Sequence, residues 1–177
     1  MNVLLIAPYI NLQVDPNLHR DNFYPSAALL HLAAVLRTNN YTPTIVDLNN
    51  AVVHNYKETY LDYCKKIIIE NLNKTKPDLV GINCLFSGVF PDVLEFAQTI
   101  KSHSPNLKIA VGGIHPTTYY KEILSNCKDI DYVSIGEGEN TIVMLATAIK
   151  EKNENLLSHI KSFAYRDKDG VVKINRK

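Results

Sequence analysis

The sequence predicts an α/β fold built on a doubly wound parallel sheet, and two observations support this prediction. Short apolar runs rich in Val, Ile and Leu alternate with longer segments of helical period, which is the pattern of βαβ units. Two Gly-containing turns, at residues 112–113 and 136–138, each stand between such a run and a helical segment. With 177 residues, 46% of them hydrophobic, the chain is long enough for one domain with a good core.

Five strands are predicted from the apolar runs, because runs of this length and composition are typical of strands buried on both faces of a sheet. They cover residues 2–7, 44–47, 79–83, 108–111 and 132–135. Right-handed crossovers favour a flavodoxin-like (Rossmann-like) strand order, 2-1-3-4-5. The switch point of that order lies between the first and third strands.

Five helices are predicted between and after these strands. The first, residues 26–37, carries Leu29 and Leu36 on one apolar stripe and follows Pro25, a residue type favoured at helix starts. The remaining helices are predicted at residues 56–73, 91–100, 118–124 and 139–149.

The composition changes after residue 152, and we place a domain boundary there. A Rossmann-like domain is predicted over residues 1–152, followed by a connector and a β-hairpin over residues 153–177. The hairpin signal is an Asp169-Gly170 pair between two strand-like runs. Because an isolated two-stranded ribbon is marginally stable in water, we expect the hairpin to lead into a further domain.

Charge and hydropathy argue against two kinds of partner. The chain has 19 basic and 18 acidic side chains, a net charge of +1, so no bulk field attracts nucleic acid or an anionic membrane. The N-terminal apolar run, residues 3–7, is about one strand long and has no basic leader. We therefore expect neither a signal peptide nor a membrane span, and a cytoplasmic location.

Three cysteines, Cys64, Cys84 and Cys127, are odd in number and far apart in the sequence. This spacing fits neither a disulfide framework nor a set of zinc or iron–sulfur ligands, so we expect buried thiols. His115 has no second ligand nearby in the sequence. No metal site and no catalytic residue are predicted.

Four segments are predicted to face a ligand, because ligands bind at the loops that leave the carboxyl ends of strands in open α/β sheets. They are residues 8–25, 83–90, 112–113 and 136–141. The first has 18 residues and no periodic pattern, which is longer than usual for such a loop. Glycine lets the backbone approach a ligand closely. We therefore expect a shallow site for a large ligand, made mostly of backbone.

Several motifs follow one another along nearly the whole chain. Residues 3–8 read VLLIAP, 24–36 YPSAALLHLAAVL, 45–47 IVD, 77–82 PDLVGI, 105–117 PNLKIAVGGIHPT and 131–139 DYVSIGEGE. Each motif alone is weak. Together, in this order and spacing, they resemble the N-terminal cobalamin-binding domain of class B radical SAM enzymes, a family of methyltransferases, cyclases and rearrangement enzymes that join a corrinoid to an iron–sulfur cluster.

The resemblance implies cobalamin as the cofactor and indicates which residues hold it. Residues 83–85 and Ser87 would lie near the nucleotide tail, residues 112–113 would let the tail pass between strand ends, and residues 136–138 would touch the ring edge or the tail. His115 would lie over the site or hydrogen-bond a neighbouring loop. Backbone N–H groups at the start of the last helix suit amide or phosphate oxygens. The implied cofactor-binding residues are Pro8, Asn83, Leu85, Ser87, Gly112, Gly113, His115, Gly136, Glu137 and Gly138.

The chain departs from that family in two ways. An Asp-x-His-x-x-Gly motif, which places an imidazole on cobalt in cobalamin-dependent mutases and methionine synthase, is absent after the first strand, so His19 is not assigned as a ligand. The Cys-x-x-x-Cys-x-x-Cys motif that holds a [4Fe–4S] cluster is also absent. We therefore expect an isolated domain that is not catalytic alone. Its parent, a radical SAM methyltransferase or cyclase, would supply the cluster and S-adenosylmethionine in cis.

Two other functions remain open from the residues alone. A stand-alone flavodoxin-like binder of flavin or nucleotide would need a phosphate cradle after the first strand, and a signalling receiver would need paired acidic residues there; neither is present. Gly136-x-Gly138-x-x-Thr141 imitates a dinucleotide fingerprint but lacks the third glycine. A degenerate domain that keeps the fold as an interaction surface is the other alternative.

Overall fold

Seven strands form one sheet in the computed structural model, which describes residues 1–8, 26–49 and 59–176. The order across the sheet is β2-β1-β3-β4-β5-β6-β7. Neighbours from β2 through β5 pair in parallel, and β6 and β7 continue the sheet antiparallel. The strands are β1 (Asn2–Ala7), β2 (Thr42–Asp47), β3 (Leu79–Asn83), β4 (Lys108–Gly112), β5 (Tyr132–Ser134), β6 (Phe163–Arg166) and β7 (Val172–Asn175).

Five α-helices lie in the described part of the chain. They are α1 (Ala27–Thr38), α2 (Tyr60–Thr75), α3 (Phe90–His103), α4 (Ile114–Asn126) and α5 (Glu139–Lys150). Two 3₁₀ turns, Ser87–Val89 and Glu154–His159, complete the element order. None of these helices combines the length and apolar character that a membrane crossing requires.

The predicted strand order is confirmed for the five parallel strands, with boundaries that differ by two residues at most. The sheet nevertheless has seven strands rather than five, because the C-terminal hairpin joins it. Val133 of β5 pairs with Ala164 of β6, and Ala164 pairs in turn with Ile174 of β7. The edge of β5 thus gives the hairpin the third strand that an isolated ribbon lacks. The boundary at residues 152–153 stays a prediction.

Two helix predictions differ from the structure by four residues at the start, and the other three helices begin within one residue of their predicted start. α4 begins at Ile114, four residues before its predicted start, because Pro116 is tolerated in a first helical turn, where no intrahelical N–H bond is lost. Tyr119 has non-helical angles (φ −112°, ψ 25°), which interrupt the helix after one turn. α2 begins at Tyr60, behind the N-cap Thr59. Residues 9–25 and 50–58, with His19 and the predicted start of α2, lie outside the described residues.

The sheet is buried on both faces, as the apolar runs predict. Along β1, Val3 and Leu5 face one layer of helices while Leu4 and Ile6 face the other, and all four are almost fully buried. Helices α1 and α5 cover the first face, and α2, α3 and α4 cover the second. Every predicted parallel strand therefore contributes to two apolar layers.

The cysteine prediction is confirmed for two of the three thiols. Cys64 and Cys84 are completely buried, and Cys127 is partly buried; all three are free. Burial raises the pKa of Cys64 and of Cys84 to about 12, so both remain protonated thiols at neutral pH.

Arg166 fastens the hairpin to the end of α4 and to the loop between α4 and β5. Its guanidinium donates to backbone carbonyl oxygens at the end of α4 and in the following loop: 2.7 Å to Leu124, 3.3 Å to Cys127 and 3.2 Å to Lys128, with a further bond to Ile130. One side chain of β6 thus satisfies carbonyls that the end of α4 leaves without helical partners.

Candidate functional site

A cavity of about 670 Å³ opens at the edge of the sheet where the parallel strands end. It lies between the sheet and helices α1 and α5. Its floor consists of small residues on three neighbouring strands, Ala7 of β1, Gly81 of β3 and Ala110 of β4. A Cβ at Gly81 would stand 3.0 Å from the Leu5 side chain, so a larger residue would intrude on this packing. The cavity exists because the small side chains of these strand residues leave the space above them unfilled.

The walls of the cavity are apolar and its rim is polar. Leu29 and Leu32 of α1 form one wall, and Ile142 and Leu145 of α5 form another. Backbone of the glycine turns lines the mouth. An apolar pocket with polar groups at its entrance suits a ligand whose apolar part enters and whose polar part remains outside.

Eight of the ten predicted site residues line this cavity: Pro8, Asn83, Leu85, Gly112, Gly113, Gly136, Glu137 and Gly138. The other two, Ser87 and His115, do not line it. They lie beside the mouth and hydrogen-bond each other, with 2.9 Å between Ser87 Oγ and His115 Nδ1. Of the two placements predicted for His115, the structure shows the hydrogen bond to a neighbouring loop.

Gly113 is required by packing as well as by backbone conformation. Its φ is +112°, and a Cβ there would stand 2.5 Å from the carbonyl oxygen of Cys84. The backbone N–H of Cys84 in turn donates to the carbonyl of Gly112 at 2.7 Å. The ends of β3 and β4 are therefore in close contact, which keeps this side of the mouth narrow.

The turn from β5 into α5 forms the opposite side of the mouth. Gly136 has φ +77° and its Cβ position meets nothing within 4 Å, whereas a Cβ at Gly138 would stand 3.3 Å from Leu32. Glu137 is exposed. The N–H of Gly136 donates to Thr117 Oγ1 at 2.9 Å, which holds this turn to α4.

His115 is enclosed by two aromatic rings. Its ring centroid lies 4.3 Å from that of Phe90 and 4.8 Å from that of Tyr119. Nε2 is buried and has no hydrogen-bond partner among the described residues. Burial lowers the pKa of His115, so the imidazole is neutral at pH 7.

Sequence reasoning missed several polar residues of the cavity wall, namely Ser26, Asn49, Thr117, Thr118 and Ser134. Asn49 donates to the Pro8 carbonyl at 3.1 Å and to Asp47 Oδ1 at 2.9 Å, which joins the ends of β1 and β2. Ser134, the last residue of β5, has a buried Oγ with no partner among the described residues. The available signal for Asn49 and Ser134 was a polar residue at or just beyond the carboxyl end of a predicted strand.

Sheet order, strand-end cavity and glycine turns together define a ligand-binding domain of the flavodoxin-like α/β class. The sequence profile described as "B12 binding domain" matches residues 17–146. The chain therefore belongs to the B12-binding domain family.

Relatives of this chain are longer proteins. An anaerobic magnesium-protoporphyrin IX monomethyl ester cyclase of Rubrivivax gelatinosus is 27% identical over 168 residues, covering 90% of this chain and 28% of the cyclase. A cytidylyl-2-hydroxyethylphosphonate methyltransferase of Streptomyces wedmorensis is 29% identical over 159 residues, covering 85% of this chain and 29% of that enzyme. The chain thus spans less than a third of the length of these curated relatives.

A solved structure shares the fold. The cobalamin-dependent S-adenosylmethionine radical enzyme OxsB, with aqua-cobalamin and S-adenosylmethionine bound, superposes with a TM-score of 0.72 at 22% identity. The match covers 99% of this chain and 22% of OxsB. The predicted resemblance, the flavodoxin-like core and the B12-binding family are confirmed.

The residues of the cavity fit a B12 cofactor. The apolar interior is suited to a flat heterocycle, and the buried Ser134 hydroxyl offers a hydrogen bond that no described protein group uses. No histidine is among the described residues that line the cavity, since His115 packs beside it. The described wall therefore offers the cofactor no imidazole.

Proposed function

We propose that this chain holds cobalamin at the strand-end cavity, with the nucleotide tail inside and the corrin ring across the mouth. The observation that supports this most directly is the size of the cavity. A cavity of about 670 Å³ has the size of pockets that hold nucleotide-sized groups, so the wider macrocycle remains at the rim.

Each part of the site has a role in this proposal. Leu29, Leu32, Ile142 and Leu145 exclude water from the tail, and burial of apolar surface supplies the main driving force. The turns at residues 112–113 and 136–138 offer backbone to the polar groups at the corrin edge. The first N–H groups of α5, which follow the N-cap Gly138, lack helical partners, and Gly138 and Glu139 line the cavity. These N–H groups would suit amide or phosphate oxygens.

The proposed parent is a longer radical SAM enzyme that transfers a methyl group or closes a ring. The names of the relatives, a cyclase and a methyltransferase, support this, as does their length, of which this chain covers less than a third. When bound, the corrinoid supplies methyl-transfer or redox chemistry at cobalt. The residues of this chain bind and orient it, and the [4Fe–4S] cluster and S-adenosylmethionine belong to another part of the parent.

The hairpin at the C-terminus is proposed to lead toward that radical SAM domain, which would be the partner in cis. We also propose a cytoplasmic location, with neither nucleic acid nor a membrane as partner. The near-neutral charge of the chain, +1 overall, supports the part of this proposal that concerns nucleic acid and anionic membranes.

Binding of hydroxocobalamin to the 177-residue protein tests the proposed function. We expect the corrinoid absorbance to stay with the protein through gel filtration, while flavin mononucleotide elutes separately. Retention of flavin instead would support the flavodoxin-like alternative, and retention of neither ligand would support a degenerate interaction module.

A pair of tryptophan variants locates the site. Ala28 and Ala34 are both exposed on α1, but only Ala28 lines the cavity. Ala28→Trp should obstruct the mouth and lower the affinity at least about tenfold, the equivalent of roughly 1.4 kcal/mol. Ala34→Trp should leave binding unchanged, and equal binding by both variants would contradict this placement.

A further inference from the structure

We infer that the first turn of α4 is a brace for the cofactor site, in which His115 and Thr117 hold the two loops on either side of the mouth. This inference rests on the proposed function and deepens it. His115 is a positioning residue, because it fixes a loop that touches the cofactor. Thr117 fixes the facing turn and also lines the cavity, and the brace itself consists of bonds within the protein.

On one side the brace reaches the β3–α3 loop, residues 84–89. His115 Nδ1 lies 2.9 Å from Ser87 Oγ, and this loop also carries Leu85 and Val89, which line the cavity. Packing between the rings of Phe90 and Tyr119 holds the imidazole in place. His115 does not line the cavity, so its effect on the ligand passes through the loop.

On the other side the brace reaches the β5–α5 turn, residues 135–138. Thr117 Oγ1 accepts the Gly136 N–H at 2.9 Å. The Cβ position of Gly136 meets nothing within 4 Å, so side-chain packing does not support the turn at this point. The hydroxyl of Thr117 supplies a fixed point for a segment that lines the mouth.

Sheet order and helix geometry explain why one helical turn reaches both loops. β4 lies between β3 and β5, so α4, which follows β4, starts between the two loops. Residues two apart in an α-helix differ by about 200° in direction. His115 and Thr117 therefore point to opposite sides. Because the loops at the mouth are already fixed, binding of the ligand does not have to offset the conformational entropy lost when they become ordered.

Isosteric and conservative variants test the brace. Thr117→Val removes the acceptor and keeps the shape, whereas Thr117→Ser keeps the acceptor. His115→Phe keeps an aromatic ring in the slot and removes the bond to Ser87, whereas His115→Asn keeps a polar group near the place of Nδ1. Thr99→Val is the matched control, because the Thr99 hydroxyl donates within α3, to the Glu95 carbonyl, away from the cavity.

The dissociation rate of hydroxocobalamin, followed by its absorbance, is the first measurement. Thr117→Val and His115→Phe should each raise it about fivefold, the effect of one ordinary hydrogen bond. Thr117→Ser and His115→Asn should have dissociation rates within about twofold of the wild type, and Thr99→Val should match the wild type. Unchanged rates in Thr117→Val and His115→Phe would overturn the brace, as would a failure of both conservative variants to restore the rate.

Amide hydrogen exchange without ligand is the second measurement and separates the brace from the proposed function. Thr117→Val should speed exchange at Gly136, and His115→Phe should speed exchange across residues 84–89. If the wild type retains no corrinoid, the proposed function is wrong, yet exchange still decides the brace. Unchanged exchange in both variants would overturn it.

Discussion

Gly113 lies against Cys84 so closely that a Cβ at position 113 would stand 2.5 Å from the Cys84 carbonyl oxygen. This contact joins the ends of β3 and β4 at the mouth of the cavity. The position also has φ +112°, a conformation that favours glycine. Two independent constraints therefore exclude every other residue.

Gly113→Ala should destabilise the protein by about 3 kcal/mol, because the new methyl group clashes with backbone and the turn is strained. Urea denaturation followed by circular dichroism measures this change. Gly88→Ala is the control, since a Cβ there meets nothing within 4 Å, and it should change the free energy of unfolding by less than about 0.5 kcal/mol. Equal stability of the two variants would show that the β3–β4 contact is looser than described.

Gly136 and Gly170 form a matched pair that separates backbone strain from ligand binding. Their φ values are +77° and +78°, and neither Cβ position meets an atom within 4 Å. Alanine should cost about 1 kcal/mol of stability at each, the usual penalty for left-handed backbone. Only Gly136→Ala should also weaken hydroxocobalamin binding, by about fivefold, because Gly136 lines the cavity and Gly170 lies in the hairpin turn. Equal affinities in equilibrium dialysis would contradict the role of the β5–α5 turn.

Much of the fold could be predicted because the signals are local. Val3, Leu5 and their neighbours mark β1 as doubly buried, and crossover handedness then limits the strand order. The pairing of β5 with β6 could not be predicted, since it joins residues about thirty positions apart and is favoured by the edge of β5. The early start of α4 was hidden by Pro116, which is a break signal in a helix interior but is tolerated in a first turn.

The parts of the site that contain glycine turns could be predicted from the sequence. The hydrogen bonds of its polar side chains could not, because they depend on residues that are distant in the sequence. The glycines at residues 112–113 and 136–138 predict that the backbone comes close to a ligand, and both turns line the cavity. Whether the hydroxyl of Ser134 finds a partner depends on neighbours such as Gly112 and Gly138, and whether His115 meets Ser87 depends on how α4 lies against the β3–α3 loop. Such relationships are long-range and leave no periodic pattern in the sequence.

Arg166→Met should destabilise the protein by about 2–3 kcal/mol, because carbonyls at the end of α4 lose charged donors. Methionine keeps most of the apolar stem of the side chain. Lys173→Met is the control on the neighbouring strand. It breaks an ion pair with Asp167 in which the Lys173 side chain is 49% exposed, so the change should stay below about 0.5 kcal/mol. Similar denaturation midpoints for the two variants would refute the anchoring role of Arg166.

Alkaline pH should destabilise the fold through Cys84. Burial raises the pKa of this thiol from 9.0 to about 12, so the folded state holds its proton more tightly than the unfolded chain. The protonated Cys84 thiol therefore makes its full contribution to the free energy of unfolding below about pH 9, and this contribution falls as the pH rises toward 12. Cys84→Ser removes the titration, so its unfolding free energy should decline less than that of the wild type between pH 8 and pH 10.5. Between pH 6 and 8 the two should run parallel, and parallel curves throughout would contradict the burial effect.

Ser134→Ala should change stability and cofactor binding in opposite directions. The Ser134 Oγ is buried without a partner among the described residues, which costs free energy in the ligand-free protein. Alanine removes that cost, so the ligand-free variant should be more stable by about 1 kcal/mol in urea denaturation. The same change removes a hydrogen bond available to the cofactor, so affinity for hydroxocobalamin should fall about fivefold.

Ser158→Ala is the control, because the Ser158 hydroxyl donates to the Asn155 carbonyl outside the cavity, and it should leave affinity unchanged. A less stable Ser134→Ala variant with unaltered affinity would mean that the hydroxyl serves the fold alone.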